Sequence, residues 1–72
     1  MKAKFRCRSV SNYQHGEIVT LHPSSCDDVN AAWSATKNPS GILEMRIERD
    51  EARAQFKPGA EYIVDVTPVE VT

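Results

Sequence analysis

No stretch of this chain approaches the roughly 20 consecutive apolar residues that a membrane-spanning helix needs. The positive charges near its start are not followed by the apolar segment of a secretory signal. The chain therefore reads as soluble, intracellular and free of membrane contact. Catalytic signatures are missing as well: there is no GxSxG, P-loop, GxGxxG, HExxH or paired-acid pattern. Ser24, Ser25, Ser34 and Ser40 have no base beside them in the sequence. Cysteine is scarce, at two residues. Cys7, His15, His22 and Cys26 are the only residues that invite a zinc reading, and they form neither CxxC nor HxxxH spacing. They read instead as a small buried thiol and surface histidines. In a reducing compartment Cys7 and Cys26 are expected as free thiols, not as a disulfide.

Net charge is close to absent too, at −1, so no global field draws the protein to nucleic acid or membrane. Length is limiting. At 72 residues the chain is one domain, residues 1–72, and a domain this small buries only about 60% of its unfolded surface. Its apolar side chains suffice for a small core and leave nothing to line a deep catalytic cleft. No enzyme, no cofactor and no metal are expected.

What is present is β-structure. The most legible stretch is Phe56-Lys57-Pro58-Gly59-Ala60-Glu61-Tyr62-Ile63-Val64-Asp65-Val66. Pro58 presets φ at the second turn position, and Gly59 accepts the positive φ of a type II turn. Tyr62, Val64 and Val66 then alternate with Glu61, Ile63 and Asp65, as a strand with one buried face does. At the other end, Ala3, Phe5 and Cys7 point one way along a strand over Lys2–Val10, and Lys4, Arg6 and Arg8 the other. Val10 breaks that parity, which predicts a bulge or bend near Ser9-Val10-Ser11. Asn12 to Gly16 reads as a hairpin connection, and Glu17 to His22 as the second strand. Asp27-Asp28 can cap a short helical turn through Trp33, or that segment can be a loop laying Trp33 over the core. Gly41 to Arg49 is a strand with Leu43, Met45 and Ile47 inward. Asp50 to Lys57 reads as a short helix.

The order is mainly β, β-β-loop-β-α-β. It fits a small OB-like or SH3-like barrel, or a strongly curved antiparallel sheet with one short helix. Phe5, Met45, Phe56 and Tyr62 are expected to meet in one interior.

One surface carries a candidate function. Lys2, Lys4, Arg6 and Arg8 repeat at roughly 6.6 Å, near the spacing of phosphates on an extended strand. With Tyr13 and Trp33 as stacking residues and Lys37 nearby, they form a candidate site for single-stranded nucleic acid. The same basic row is also how a sheet edge is protected from aggregation. Trp33 reads either as core or as an anchor for a partner.

Three stretches, Lys4-Phe5-Arg6-Cys7-Arg8-Ser9-Val10, Pro39-Ser40-Gly41 and Phe56 to Asp65, carry a further likeness. Through them the chain resembles a group of small proteins encoded in tailed-phage and prophage genomes. Before its Pro-Ser-Gly step the group carries Thr, where this chain has Asn38. The group has no assigned activity, so no functional residue transfers. The resemblance implies a phage or prophage accessory protein in a bacterial cytoplasm that binds a host or phage protein. The alternatives are the nucleic-acid binder above and a structural component that oligomerises through its first or last strand edge.

Overall fold

A computed structural model describes residues 1–25 and 27–70. Cys26 and the end of the Val69–Thr72 tail lie outside the described residues, so the pairing of Cys26 does too. The Cys7 thiol is buried and free.

Four strands form one antiparallel sheet: β1 (Lys2–Tyr13), β2 (Gly16–Pro23), β3 (Leu43–Ile47) and β4 (Glu61–Asp65). Their spatial order is β3-β2-β1-β4. The long first strand is therefore central, and β3 and β4 are the edges. This corrects the expectation that the first strand offers a free edge. The first hairpin closes with Tyr13 opposite Gly16, around Gln14-His15. The register of β1 on β2 shifts between Cys7 and Ser9, so Arg8 is the extra residue of a bulge. That shift returns Val10 to the face of Cys7, opposite Val19, where its apolar side chain is wanted.

The inner face carries Ala3, Phe5, Cys7, Val19, Leu21, Leu43, Met45, Ile47, Tyr62 and Val64, as the registers dictate. Cys7, Val19 and Leu21 are its buried centre, and Phe5, Phe56 and Tyr62 pack against them. Met45 lies on the same face, opposite Val19, and is half-buried. Ile18 falls on the outer face, and Val66, which the strand pattern places on the buried face, is 55% exposed. Glu17 is buried on the inner face, where its Oε1 accepts the Ala54 N–H at 3.2 Å. That bond answers for a carboxylate that strand parity would otherwise leave among apolar neighbours.

The sheet is open. Among the described residues no ladder joins β3 to β4, so no closed barrel of the OB or SH3 kind is formed. The molecule is a slab 15 Å thick, thinner than the two full layers that usually enclose a core. The helix expected over Asp50–Lys57 is one 3-10 turn, Asp50–Ala52. So short a segment gains too few backbone bonds to offset helix nucleation, and Ala54 leaves the helical region at φ 64°. Phe56 still reaches the core, its ring 4.8 Å from that of Tyr62. The turn after it is as the sequence implies: Gly59 has φ 89°, and Ala60 N–H donates to Lys57 C=O at 3.0 Å.

Candidate binding surfaces

The loop after β2 decides where both candidate surfaces lie. Asp27 Oδ1 accepts the N–H groups of Val29 and Asn30, at 3.0 and 3.1 Å. These donors stand at the start of the 3-10 turn Asn30–Ala32, where a carboxylate is favoured. The turn delivers Asn30, which is 0% exposed. Its amide is inserted where the β1–β2 ladder would place its next bond, from Lys4 N–H to Ser24 C=O. Oδ1 accepts Lys4 N–H at 2.7 Å, and Nδ2 donates to Ser24 C=O at 3.1 Å and to Lys4 C=O at 3.0 Å. Oδ1 also accepts the indole Nε1–H of Trp33 at 3.1 Å. One side chain thus extends the sheet beyond the end of β2 and fixes Trp33.

The same loop takes up Lys4. Its ammonium is ion-paired with Asp27 Oδ2. That hydrogen bond, with the charge attraction that accompanies it, raises the Lys4 pKa. The Lys4 hydrogen bond, joined by that from Asn30 N–H, lowers the Asp27 pKa. A group with a depressed pKa stabilises the fold above its ordinary value and loses that effect as pH falls; a raised amine does the reverse. The stability difference between the wild type and Lys4→Met is therefore expected to be whole between pH 3.8 and 10.5, the ordinary values of the two groups. It should shrink outside that window at both ends. Urea unfolding of both proteins across pH checks this, and a pH-independent difference would show that the ion pair contributes nothing.

The basic row is divided by these contacts. Lys2 remains exposed on the outer face. Arg6 donates to Gly59 C=O at 3.0 Å and lies 3.6 Å from Glu61. Arg8, carried by the bulge, joins Arg6 in a cleft of about 250 Å3 that also includes His22, Ser24 and Ser25. Bulges commonly re-aim a side chain in this way. Register sets His22 directly opposite Arg6. The Ser24 hydroxyl is buried with no hydrogen-bond partner among the described residues. Tyr13 lies at the hairpin end, where its hydroxyl donates to Glu48 at 3.0 Å and its ring meets His15 edge-on. Desolvation, and then that hydrogen bond, push its phenol pKa up. Trp33 faces the other side of the sheet, and Lys37 is exposed in the turn-rich stretch before Pro39. The residues read together as one nucleic-acid platform are thus not gathered: only Arg6 and Arg8 share a cleft.

Trp33 belongs to a different surface. It lines an apolar groove of about 220 Å3 on the inner face with Ala3, Phe5, Leu43 and Val64, and with Met1, Ile42 and Val66 at its rim. Those three rim residues are 61%, 63% and 55% exposed. Phe56 covers the Cys7 end of the inner face, and this end stays open. Among the described residues no three metal-ligating side chains come together, and no helix is long and apolar enough to cross a membrane. No family model, curated protein or solved structure matches the chain.

Proposed function

We propose that this chain is a non-enzymatic accessory protein of a phage or prophage, working in the bacterial cytoplasm by binding another protein. The groove around Trp33 carries this reading. A lone four-stranded sheet normally buries its apolar face against a second layer, and here the groove leaves one end of that face uncovered by the described residues. The indole N–H is already bonded to Asn30, so the ring offers apolar surface at no polar cost. Aromatic anchors of this kind concentrate binding energy at protein interfaces. The partner that fits is an extended segment with one large apolar side chain for the groove.

Capture from bacterial lysate with the wild type, with Ile42→Glu/Val66→Glu and with Ile63→Glu tests this. The expected result is a protein held by the wild type and by Ile63→Glu, and lost from the groove variant. Equal capture by all three, or no enriched protein, would count against it.

The cleft of Arg6, Arg8 and His22 supports a second reading, the binding of single-stranded nucleic acid. Two arginine–phosphate contacts give a slope of about −1.4 in log K against log salt. A labelled oligonucleotide should then bind at low salt and fail to bind Arg8→Glu. No binding by the wild type at low salt would remove this reading.

A further inference from the structure

The two edges of the sheet differ in what they can pair with. Cys7 N–H donates to Ala60 C=O, and Gly59 N–H donates to Cys7 C=O, both toward β4. Its neighbour Arg6 therefore turns its backbone groups to β2, opposite His22. Alternation along an antiparallel ladder then points the groups of Leu21, Val19 and Glu17 at β3. Their partners Leu43, Met45 and Ile47 are bonded inward to β2. Ile47 C=O agrees, since it faces the β2 side close to Gly16. The N–H and C=O groups of Glu44 and Arg46 are left turned to the open edge.

We infer that two copies of this chain pair antiparallel through β3, about a two-fold axis at Met45. Only even-numbered residues of β3 present edge groups, so the registers open to it are few. An axis at Glu44 sets Glu44 against itself, and an axis at Arg46 sets Arg46 against itself. The axis at Met45 sets Glu44 opposite Arg46 of the second copy, twice by symmetry, as an isologous contact requires. Both side chains are exposed, and neither has an ion-pair partner among the described residues. On the inner face the same register places Leu43 against Ile47 and Met45 against Met45. Every cross-strand neighbour is then of a favourable kind.

Of the usual protections of an edge, β3 has no Pro, no Lys, no bulge and no inward charge, and its two outward charges, Glu44 and Arg46, are of opposite sign and so complementary in this register. The β4 edge differs. Its edge groups belong to Glu61, Ile63 and Asp65, and pairing the whole strand with itself sets Glu61 opposite Asp65 of the second copy, like against like. Self-association is therefore specific to β3, and it yields a continuous eight-stranded sheet. It rests on the β3 edge alone and stands whether or not the groove binds a partner.

The test is sedimentation or light scattering of the full chain over a concentration series, with four variants. The wild type should reach twice the 8.1 kDa protomer mass. Glu44→Arg and Arg46→Glu each replace two attractive pairs by two repulsive ones and should weaken association roughly ten- to hundred-fold. The double variant Glu44→Arg/Arg46→Glu restores both pairs and should recover the wild-type constant. Glu61→Arg, on the other edge, should leave it unchanged. Circular dichroism and melting of each variant check the protomer, in which Glu44 and Arg46 are exposed on the outer face opposite Thr20 and Ile18. A wild type that stays monomeric throughout, a double variant no better than the singles, or an effect of Glu61→Arg in place of the β3 variants would overturn the inference.

Discussion

Asn30→Leu should cost about 3–5 kcal/mol and leave the protein largely unfolded at room temperature. The side chain is wholly buried and, besides a longer 3.5 Å contact with Ser25 C=O, serves four groups: Lys4 N–H, Lys4 C=O, Ser24 C=O and the Trp33 indole N–H. Lys4 C=O keeps a second donor, Ser24 N–H at 2.9 Å, but the other three lose their partner. A buried polar group left unpaired costs about 1–3 kcal/mol. Domains of this size have roughly 0.05–0.15 kcal/mol of stability per residue, so two or three such losses consume most of it. Asn30→Asp separates shape from donation. It keeps the acceptor for Lys4 and Trp33 but meets the Ser24 and Lys4 carbonyls without a donor. It should also be strongly destabilised, and urea unfolding measures both variants. If Asn30→Leu melts within a few degrees of the wild type, the inserted amide is not what holds the loop to β1.

Gly16→Ala should cost about 3 kcal/mol, for a steric reason alone. A Cβ at this position would stand 2.1 Å from Ile47 O, 3.0 Å from Ile47 C and 3.1 Å from Glu48 Cα. All three are backbone atoms, so no side chain can move aside. The strand end of β3 has to lift from β2, which breaks the Glu17–Ile47 pairing and disturbs the segment that Glu17 holds through Ala54. Overpacking of this kind typically costs 1–3 kcal/mol, occasionally more. Gly16 is not at positive φ, so alanine suffers no conformational penalty there and even lowers unfolded-chain entropy. Gly41→Ala is the control, because its new methyl meets only the Pro23 ring, Cγ at 3.5 Å and Cδ at 3.9 Å. Thermal melts should separate the two substitutions by about 10 °C or more, at the 4–8 °C per kcal/mol expected for small domains. Equal melting temperatures would mean that β2 and β3 do not approach as closely as described.

The strands were legible because their signals are local. The parity of Ala3, Phe5 and Cys7, broken at Val10, announced a bulge. Pro58-Gly59 announced a turn whose dihedral and hydrogen bond follow. Strand order was not legible, because nothing in β1 says that β4 will take its second edge. The supposed helix over Asp50–Lys57 had suitable end residues but too little length, and tertiary packing of Phe56 required no helix. The dispersal of the candidate nucleic-acid residues was not legible for a similar reason. A row of four basic residues shows spacing, but not that Asp27 and Glu61 will come to lie beside two of them. The pairing of Arg6 with His22 could have been counted back from the Gln14-His15 turn once the bulge was placed at Arg8. Asn30 gave no sequence signal: an asparagine in a polar loop looks the same whether it faces water or completes a sheet.

Both proposed surfaces depend on the sheet being open, and amide hydrogen exchange on β4 tests that most directly. Tyr62 and Val64 direct their N–H groups at β1, while Glu61, Ile63 and Asp65 direct theirs outward, as Val66 N–H bonding to Met1 C=O at 2.7 Å and Cys7 N–H to Ala60 C=O at 2.9 Å require by alternation. The account predicts slow exchange at Tyr62 and Val64 with fast exchange at Ile63 and Asp65. Slow exchange at all four would show a further strand on that edge and a closed structure, and would contradict it.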